Sequence, residues 1–545
     1  MSDKASLVKQ LWLKKLAKQS NIRTLWQETS DNLYPYAKIT SSWEQGEKRS
    51  TYIYDMTPML DMFDMVSGLK HVLIPSGQPF FSVKSILDKR MRSPLDSQQY
   101  MAYVTEVAHE KILNSNFITE FDDVLRSLIV FGPGDIYSEW TKATGLNYRS
   151  SEIGTYVLIE DQYKNVIGCI HKLCITAEEA YKQFGDKAGE KVIEAAKDEK
   201  KKYDNWEFLH QVLPRAKRNL NLSSDYNLNM KYESLYVNLK ESVLCEEGGY
   251  PENPYHTARW MRPIQEIDGR GIGTEILPHI KVLYQQAKDF IECANRHNRQ
   301  PYEVGPDVVG EVNLSPGGRT DVMEMGQIKP LGGGAMNGNF PITEKSLEAQ
   351  RDVIHRAFFK QAFSPLEDLT GDRRTELEIR ERIRGVLPKL GPPVGRIWGE
   401  LLNKLLERSI LLLIRNGDIE KPPAQLAGTN FGIEYVGPFA LALRSSQAKG
   451  IQELIPVIAD MEALWPGTKD NIDADDAIVR IANTFGVNVH DIATQEERNT
   501  KRAKRAQEEL QQKQAVAAQI ASEAYSKSTK APEQGSPAGQ LMGVK

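Results

Sequence analysis

The sequence predicts an α+β fold that is mainly helical. Long segments carry apolar residues at helical spacing, whereas strand-like runs are concentrated in residues 141–265 and 300–340. Of the 545 residues, 40% are hydrophobic and 26% are charged, which is typical of a globular chain rather than a disordered one. At roughly 100–200 residues per domain, this length predicts about three or four domains, or one discontinuous assembly.

Helical patterns dominate the N-terminal part. Apolar residues at helical spacing predict a helix from Leu7 to about Tyr34, which Pro35 ends because proline cannot continue a helix. Further helices are predicted at Met59–Leu73, about Pro94–Asn114 and Phe117–Ile129. Short strands are predicted beside these helices at residues 80–83 and 135–140.

Residues 141–265 have the pattern of a β-rich region with one helical insert. Strand character is found at residues 156–160, 166–173, 232–236 and 242–244. Thr176 is a good N-cap for a helix over Ala177–Phe184, because its hydroxyl can accept a hydrogen bond from the backbone N–H of Glu179. The Glu179 side chain can bond back to Thr176, which completes a capping box.

The pattern changes at Gly269. Residues 269–273 (GRGIG) predict a flexible lead into a long helix, Thr274 to about Asn298. A Gly/Pro-rich segment of strands and turns, about 300–340, precedes a second long helix, about Thr343–Ala362. This order fits two helices that run side by side and present a small module at their far end. An ordinary α+β core in which the helices merely pack is the alternative, and composition does not separate the two.

A loop and a kinked helix are predicted next. Residues 363–374 are polar, with proline and glycine, and Thr375-Glu-Leu-Glu378 forms a capping box that starts a helix sharply. We expect this helix to break at Pro388 and residues 391–393, and to resume over Val394–Arg415. Leucines and isoleucines make its second half deeply apolar, so burial is predicted for Leu401, Leu402, Leu405, Leu406, Ile410 and Leu413.

The C-terminal part combines strands, helices and a polar tail. Strands are predicted at residues 431–436 and 437–444, and helices at about 445–465, 473–485 and 494–526, before a tail of disordered composition. The last helix carries a basic cluster interleaved with glutamates, Arg498, Lys501, Arg502, Lys504 and Arg505. A solvated, salt-bridged face is favoured over phosphate contact. Because the helix is poor in apolar residues, it either associates with copies of itself or frays.

No signature of an enzyme or of a metal site is found. The four cysteines are too few for a disulfide framework, and the phosphate-loop, zinc-protease and serine-hydrolase motifs are absent. The formal charge of −4 argues against a protein that coats nucleic acid. The most apolar run, Ser409–Ile414, is far shorter than the ~20 residues that a membrane span needs. We expect no catalytic residue, no cofactor, no metal and no membrane partner.

Segments spread along the chain match, in order and spacing, those of one protein family. They are Tyr54–Pro58, Gly68–Ser76, Phe121–Gly132, Gly271–Thr274, Leu369–Arg380 and Tyr435–Ala440. On these segments the chain resembles the portal (head-to-tail connector) proteins of short-tailed, T7-like bacteriophages. The resemblance spans about residues 5–510 and carries nothing residue-specific to the charged C-terminal helix.

The resemblance implies a structural role. Portal proteins of this family form a dodecameric ring at one capsid vertex, and double-stranded DNA passes through the ring during packaging and ejection. The implied partners are the major capsid protein, the terminase large subunit, tail adaptor proteins and internal core proteins. The implied location is the virion, with the host cytoplasm during assembly.

The resemblance also assigns regions of the chain. Residues 1–265 correspond to the wing, 266–299 and 341–362 to the two stem helices, 300–340 to the clip, 363–374 to the channel loop, 375–444 to the kinked wing helix with its following strands, 445–526 to the crown helices, and 527–545 to a disordered tail. The fold class that follows is a portal-type α+β subunit.

Two groups of residues are candidate contact sites on this assignment. Candidates for contact with DNA lie in the channel loop: Glu367, Asp368, Thr370, Gly371, Asp372, Arg373 and Arg374. Candidates for partner docking lie in the clip: Asp321, Met323, Met325, Lys329, Met336 and Asn337. In the loop, Arg373 and Arg374 either touch phosphates transiently or form salt bridges to a neighbouring subunit, and the sequence favours neither.

Two other classes of protein remain as alternatives. One is an internal core or scaffolding protein, a class that is usually more helical and lacks β-rich regions such as 141–265. The other is a nucleic-acid-processing enzyme with an unrecognised site.

Overall fold

The fold is described by a computed structural model of the chain. The described residues are 2–40, 46–47, 53–75, 79–85, 95–218, 226–298, 302–306, 308, 311–313, 322, 328–330, 340–363, 385, 389–422, 431–436, 456–458, 460–461 and 495–528. They fall into two compact units, residues 1–442 and 443–545.

The first unit begins with helices and one strand. In chain order they are α1 (Ser2–Lys18), α2 (Ser20–Leu33), α3 (Thr57–Leu73), β1 (Phe81–Ser85), α4 (Leu95–Leu113) and α5 (Phe117–Val130). The last four confirm the predictions from apolar spacing. Helical structure over Leu7–Leu33 confirms that prediction, but the helix is divided in two at Gln19. The buried Gln19 side chain donates to the Asp268 carboxylate at 2.7 Å, a partner from a distant part of the chain.

Two antiparallel sheets follow, with two helices between their strands. The elements are β2 (Pro133–Thr141), β3 (Gly145–Ser150), β4 (Tyr156–Glu160), β5 (Val166–Thr176), α6 (Ala177–Phe184), α7 (Glu190–Lys197), β6 (Asn205–Pro214), β7 (Tyr232–Asn238), β8 (Val243–Tyr250) and β9 (Tyr255–Arg259). Among the described residues, one sheet has the order β3-β2-β9 and the other β4-β5-β6-β7-β8. The predicted β-rich region with a helical insert is confirmed.

The start of the helical insert matches its prediction in detail. Thr176 accepts a hydrogen bond from the backbone N–H of Glu179, and the Glu179 carboxylate accepts one from the backbone N–H of Thr176. This capping box satisfies two donors at the beginning of α6. The predicted capping box is therefore confirmed.

A pair of long helices comes next. The elements are α8 (Ile272–Asn298), β10 (Tyr302–Val304), β11 (Ile328–Pro330), α9 (Phe340–Ala357) and α10 (Lys360–Phe363). Strands β10 and β11 pair antiparallel, which confirms strand structure in the Gly/Pro-rich segment. The predicted helix over 343–362 is interrupted, since Phe359 has a φ of 55° and separates α9 from α10.

The glycines before α8 are closely packed. A Cβ added at Gly271 would lie 2.6 Å from the carbonyl oxygen of Ile129, and one added at Gly273 would lie 2.6 Å from that of Val130. These distances leave no room for any side chain. The predicted flexible lead is therefore wrong, because the glycines allow the start of α8 to lie against the end of α5.

The last elements of the first unit form a long helical stretch and a strand. Residues 389–396 are helical, Ile397–Leu402 form a π-helical turn, α11 spans Asn403–Asn416, and β12 (Phe431–Tyr435) pairs antiparallel with β1. The predicted break at residues 391–393 is wrong, because the helix continues through them and the irregularity lies in the π turn. The capping box at Thr375–Glu378 and Pro388 lie outside the described residues.

The main core of the first unit joins the N-terminal helices to α8, α9 and α11. The predicted burial of the second half of the long helix is confirmed, since the side chains concerned are 0–1% exposed: Leu401, Leu402, Leu405, Leu406, Ile410 and Leu413. A separate small core lies between α1 and the five-stranded sheet, around Val8, Trp12 and Leu209.

The second unit is described mainly by one helix. The helix α12 spans Gln495–Ser528, which confirms the prediction for this segment, and its Leu510 and Val516 side chains are exposed. Residues 456–458 and 460–461 are helical. The other elements predicted for 437–485, and the tail from 529, lie outside the described residues.

Candidate functional site: the helical arm and its base

The two long helices and the strands between them form one feature, which we call the helical arm (residues 272–357). The 27 residues of α8 extend about 40 Å at 1.5 Å per residue. Helix α9 runs antiparallel to it, because Gln286 Nε2 lies 3.1 Å from Ser346 Oγ while His279 Nδ1 lies 3.2 Å from Gln350 Oε1. The predicted side-by-side helices with a small β module between them are confirmed.

Burial divides the arm into a base and a tip. At the base, Ile280 and Leu283 of α8 are fully buried. Further along, Ile291 is 45% exposed, and Tyr302 in β10 is 42% exposed. The base is therefore embedded in the core, while the distal part of the arm faces solvent in the single chain.

Polar contacts fix the α8 side of the base to α2. The Tyr284 hydroxyl donates to the backbone carbonyl of Asn32 at 2.7 Å, and Lys281 forms an ion pair with Glu28. Burial raises the pKa of the Tyr284 hydroxyl, so the group stays protonated as a donor. Together with the glycine contacts, these bonds hold the start of the arm rigidly.

The α9 side of the base is fixed by an ion pair to the segment just before α3. Arg351 donates to Asp55 Oδ2 from Nε at 2.9 Å and from Nη2 at 2.8 Å. Burial alone would raise the pKa of Asp55, but hydrogen bonds from Thr57 and Arg351 outweigh it and lower that pKa. Asp55 is therefore ionised at neutral pH and holds Arg351 in place.

A carboxylate of α3 itself lies beside the joint between α9 and α10. Asp61 is fully buried, accepts a hydrogen bond from His355 Nδ1 through Oδ2, and has Lys360 Nζ 3.2 Å from its Oδ1. Just beyond, the Phe363 ring packs on Gly68 of the same helix. One helix, α3, thus holds the end of the arm and the short helix that follows.

A buried arginine braces the long C-terminal helix of the first unit. The guanidinium of Arg259, at the end of β9, binds both oxygens of Glu400 in the π turn and also pairs with Glu160 of β4. Arg259 is 2% exposed. Bidentate pairs of this kind fix geometry as well as charge, so the π turn is tied to both sheets.

A buried polar cluster joins the two sheets. Asp135 accepts hydrogen bonds from Thr257 and Ser151, and lies 3.4 Å from His171 Nε2. Burial raises the pKa of Asp135 to about 7 and keeps that of His171 well below 6.5, so the histidine is neutral. The two residues are 1% and 2% exposed, out of reach of a substrate, and we interpret the cluster as a structural contact.

Sequence reasoning missed Asp55, Asp61, Arg259 and Asp135. Asp61 offered one signal, because it shares the buried face of α3 with Pro58 and Met65 at helical spacing. The second signal was Asp135, a carboxylate within a predicted strand. A charged residue at a core position is rare unless it has a partner, and neither partner is close in sequence.

Most of the predicted contact residues lie outside the described part of the chain. This holds for Glu367, Asp368, Thr370, Gly371, Asp372, Arg373, Arg374, Asp321, Met323, Met325, Met336 and Asn337. Lys329 is described in β11, where its backbone lies opposite that of Glu303 in β10. Their assignment to DNA contact or partner docking stays a prediction.

The residues with described positions lack two kinds of feature. No cluster of three or more His, Cys, Asp or Glu side chains able to hold a metal ion occurs among them. No helix in the described segments has the length and apolarity that a membrane span requires.

The base of the arm is embedded in the core, and the described residues of its β tip are exposed. A family model described as "Bacteriophage head to tail connecting protein" matches residues 5–492. The chain belongs to this family of bacteriophage head to tail connecting proteins, which confirms the resemblance drawn from the sequence. Members are structural, so the alternative of a nucleic-acid-processing enzyme is wrong.

Two relatives show the same relationship along nearly the whole chain. The "Portal protein" of Salmonella phage epsilon15 is 25% identical over 537 residues, covering 94% of this chain and 93% of its own. The "Probable portal protein" of Bordetella phage BPP-1 is 21% identical over 470 residues, covering 85% of this chain and 84% of its own.

Proposed function

We propose that this chain is the portal protein of its phage. Copies of the chain form a dodecameric ring at one capsid vertex, and double-stranded DNA enters and leaves the head through the central channel. Membership of the head to tail connecting family and the portal names of both relatives support this proposal. The helical arm is the structural observation that carries it.

The regions of the chain take different roles in the proposed ring. Residues 1–265 and 375–444 form the wing, α8 and α9 the stem, 300–340 the clip, 363–374 the channel loop and 445–526 the crown. The burial gradient of the arm supports the division between stem and clip, because a docking module must stand clear of the body that anchors it.

The exposed tip of the arm is the proposed docking surface. In this role it binds the terminase large subunit during packaging and tail adaptor proteins afterwards, while the wing contacts the major capsid protein and the crown contacts internal core proteins. Exposed aromatic and aliphatic side chains at β10, Tyr302 and Val304, suit a protein interface.

The charge of the subunit suits a channel that lets DNA slide. Each phosphate that a protein neutralises releases counterions and adds affinity, so a basic channel would hold DNA tightly. The formal charge of −4 per chain and the mixed charges of residues 367–374 favour weak contacts. We expect transient rather than clamping contact at the channel loop.

Electron microscopy of the purified full-length protein tests the proposal directly. The expected result is a closed ring of twelve-fold symmetry with a central hole, and a particle lacking the protein should fail to package DNA. A folded monomer that does not assemble at any concentration, and whose loss leaves DNA-filled heads, would overturn the proposal.

A further inference from the structure

The joint between α9 and α10 is held in an unfavourable backbone conformation. Phe359 has a φ of 55°, in the left-handed region that a residue with a Cβ rarely adopts. For a bulky residue such a conformation persists only where the surrounding structure imposes it.

One buried carboxylate holds both sides of the joint. Asp61 receives the His355 imidazole from the last turn of α9, before Phe359, and the Lys360 ammonium from the first residue of α10, after it. The two groups bind different oxygens of the same carboxylate. A fully buried carboxylate requires polar partners, and the bend brings both of these groups to Asp61.

The far end of α10 is seated on the same helix. A Cβ added at Gly68 would lie 2.4 Å from the Phe363 ring, so only glycine leaves space for the ring at this position. Asp61 and Gly68 are two turns apart on α3. Helix α10 is therefore held at its beginning by the ion pair of Lys360 with Asp61, and at its end by packing of the Phe363 ring on Gly68.

The local sequence favours the other conformation, a straight helix. Residues 342–363 contain neither glycine nor proline, and their apolar spacing predicts one continuous helix through Phe359. Local preference and tertiary contacts thus favour different conformations of one short segment. Such a conflict is what makes an element able to occupy two positions.

We propose that the α9–α10 joint is a two-position switch, with Asp61 as the positioning residue that holds it bent. In the bent position α10 lies on α3. In the released position Phe359 returns to the right-handed helical region, α10 continues α9, and the chain leaves Phe363 in a different direction. The inference goes beyond the proposed function and does not depend on it, because the switch is a property of the subunit.

Hydrogen–deuterium exchange of the full-length protein, read by mass spectrometry on peptides covering 358–363, tests the switch. Asp61→Asn keeps the size of the side chain but removes its charge. In the released position the backbone N–H groups of Lys360 and Gln361 would donate to the carbonyls four residues back in a continuous helix. Asp61→Asn weakens the hydrogen bond from His355 and removes the ion pair with Lys360, so it should shift the joint towards that position and slow exchange at α10 about tenfold. Asp55→Asn is the matched control, because it breaks the ion pair between Arg351 of α9 and the segment just before α3 and should leave α10 unchanged.

Two further variants make the test independent of one substitution. Phe359→Gly should not slow exchange at α10, because glycine adopts a positive φ without strain and disfavours the straight helix. Phe363→Ala should slow exchange as Asp61→Asn does, and it serves if that variant does not fold. Equal effects of Asp61→Asn and Asp55→Asn, faster exchange in Asp61→Asn, or slower exchange in Phe359→Gly would overturn the proposal.

Discussion

Arg259 donates two hydrogen bonds to the carboxylate of Glu400, from Nε at 3.2 Å and from Nη2 at 3.1 Å. The pair ties the end of β9 to the π-helical turn that precedes α11. A π turn inside an α-helix is rare and costs stability unless contacts from outside favour it. Arg259 supplies such contacts, because its guanidinium holds Glu400 and Glu160 together at the junction of both sheets with this helix.

Replacing this arginine should destabilise the first unit strongly. Arg259→Ala leaves Glu160 and Glu400 without their buried partner, and breaking a buried ion pair costs about 3–5 kcal/mol. The matched control is Arg270→Ala, whose side chain is 36% exposed and pairs with Glu266 and Glu275 at the surface. Surface pairs are worth about 0–1 kcal/mol. Urea unfolding followed by tryptophan fluorescence measures both, and equal shifts of the two midpoints would contradict the role given to Arg259.

The close approach of α8 to α5 predicts opposite effects for two glycine substitutions. Gly271→Ala should lower the free energy of unfolding by about 1–3 kcal/mol, because its Cβ would lie 2.6 Å from the Ile129 carbonyl oxygen. Gly395→Ala, at an exposed helical position with open space around it, should raise that free energy by about 0.5–1 kcal/mol. The same unfolding assay checks both. A stabilising Gly271→Ala would show that the junction can open.

The elements set by local signals could be predicted from the sequence, and those set by distant partners could not. The capping box at Thr176 needs only residues three apart, and the burial of Leu405 follows from helical spacing. At the break, Gln19 bonds to Asp268, and on the two sides of the bend at Phe359, His355 and Lys360 contact Asp61. Both partners lie hundreds of residues away, where helical spacing carries no information.

The same division applies to the candidate site. The helical arm could be predicted, because two long amphipathic helices flank a Gly/Pro-rich segment. The residues that anchor its base could not, since Asp55 pairs with Arg351 and Lys281 pairs with Glu28 across separate regions of the sequence. The glycines before α8 led to a wrong prediction of flexibility. Glycine occurs both in flexible segments and where two backbones pack closely, and the sequence does not show whether a neighbouring backbone is present.

The buried Asp135 predicts a pH dependence of stability. Burial raises its pKa from 3.8 to about 7, so its contribution is full below pH 3.8 and is lost as the pH rises through about 7. Asp135→Asn removes this titration while keeping the side-chain shape. The stability of Asp135→Asn relative to the wild type should therefore increase from about pH 4 to about pH 7.

The difference in stability between the wild type and Asp135→Asn reports on the titration of Asp135 alone. His171, His210 and His256 are buried and have lowered pKa values, so they reduce stability below about pH 6.5 in both proteins. Urea midpoints of both proteins across this range provide the measurement. A difference that stays constant from pH 4 to pH 7 would show that Asp135 does not titrate there.

The proposed channel loop leads to a prediction that separates its two interpretations. Replacing Arg373 and Arg374 by Gln should leave rings intact in electron micrographs and reduce the amount of DNA retained in filled heads, if the arginines touch DNA. If they instead form salt bridges between subunits, the rings themselves should become less stable than wild-type rings, most of all at low salt, where the wild-type salt bridges are least screened. Deleting residues 364–373 extends the test, and loss of rings there would make the loop structural.

The exposed tip of the arm predicts where docking can be lost without loss of the fold. Tyr302→Thr removes a ring that is 42% exposed in β10 while keeping a residue that favours strands. Aromatic residues dominate interface energetics, and loss of one costs about 2 kcal/mol or more, which is about thirtyfold in affinity. Binding of the terminase large subunit to purified rings should weaken by about this factor.

Two control variants on the arm show whether the effect belongs to the tip. Val282→Thr changes a side chain that is 43% exposed on α8, at the level of the base, and should leave terminase binding unchanged. Ile280→Asp places a carboxylate at a position that is fully buried, so it should abolish soluble rings rather than docking alone. If Tyr302→Thr and Val282→Thr reduced binding equally, the docking surface would extend along the arm and the tip would have no special role.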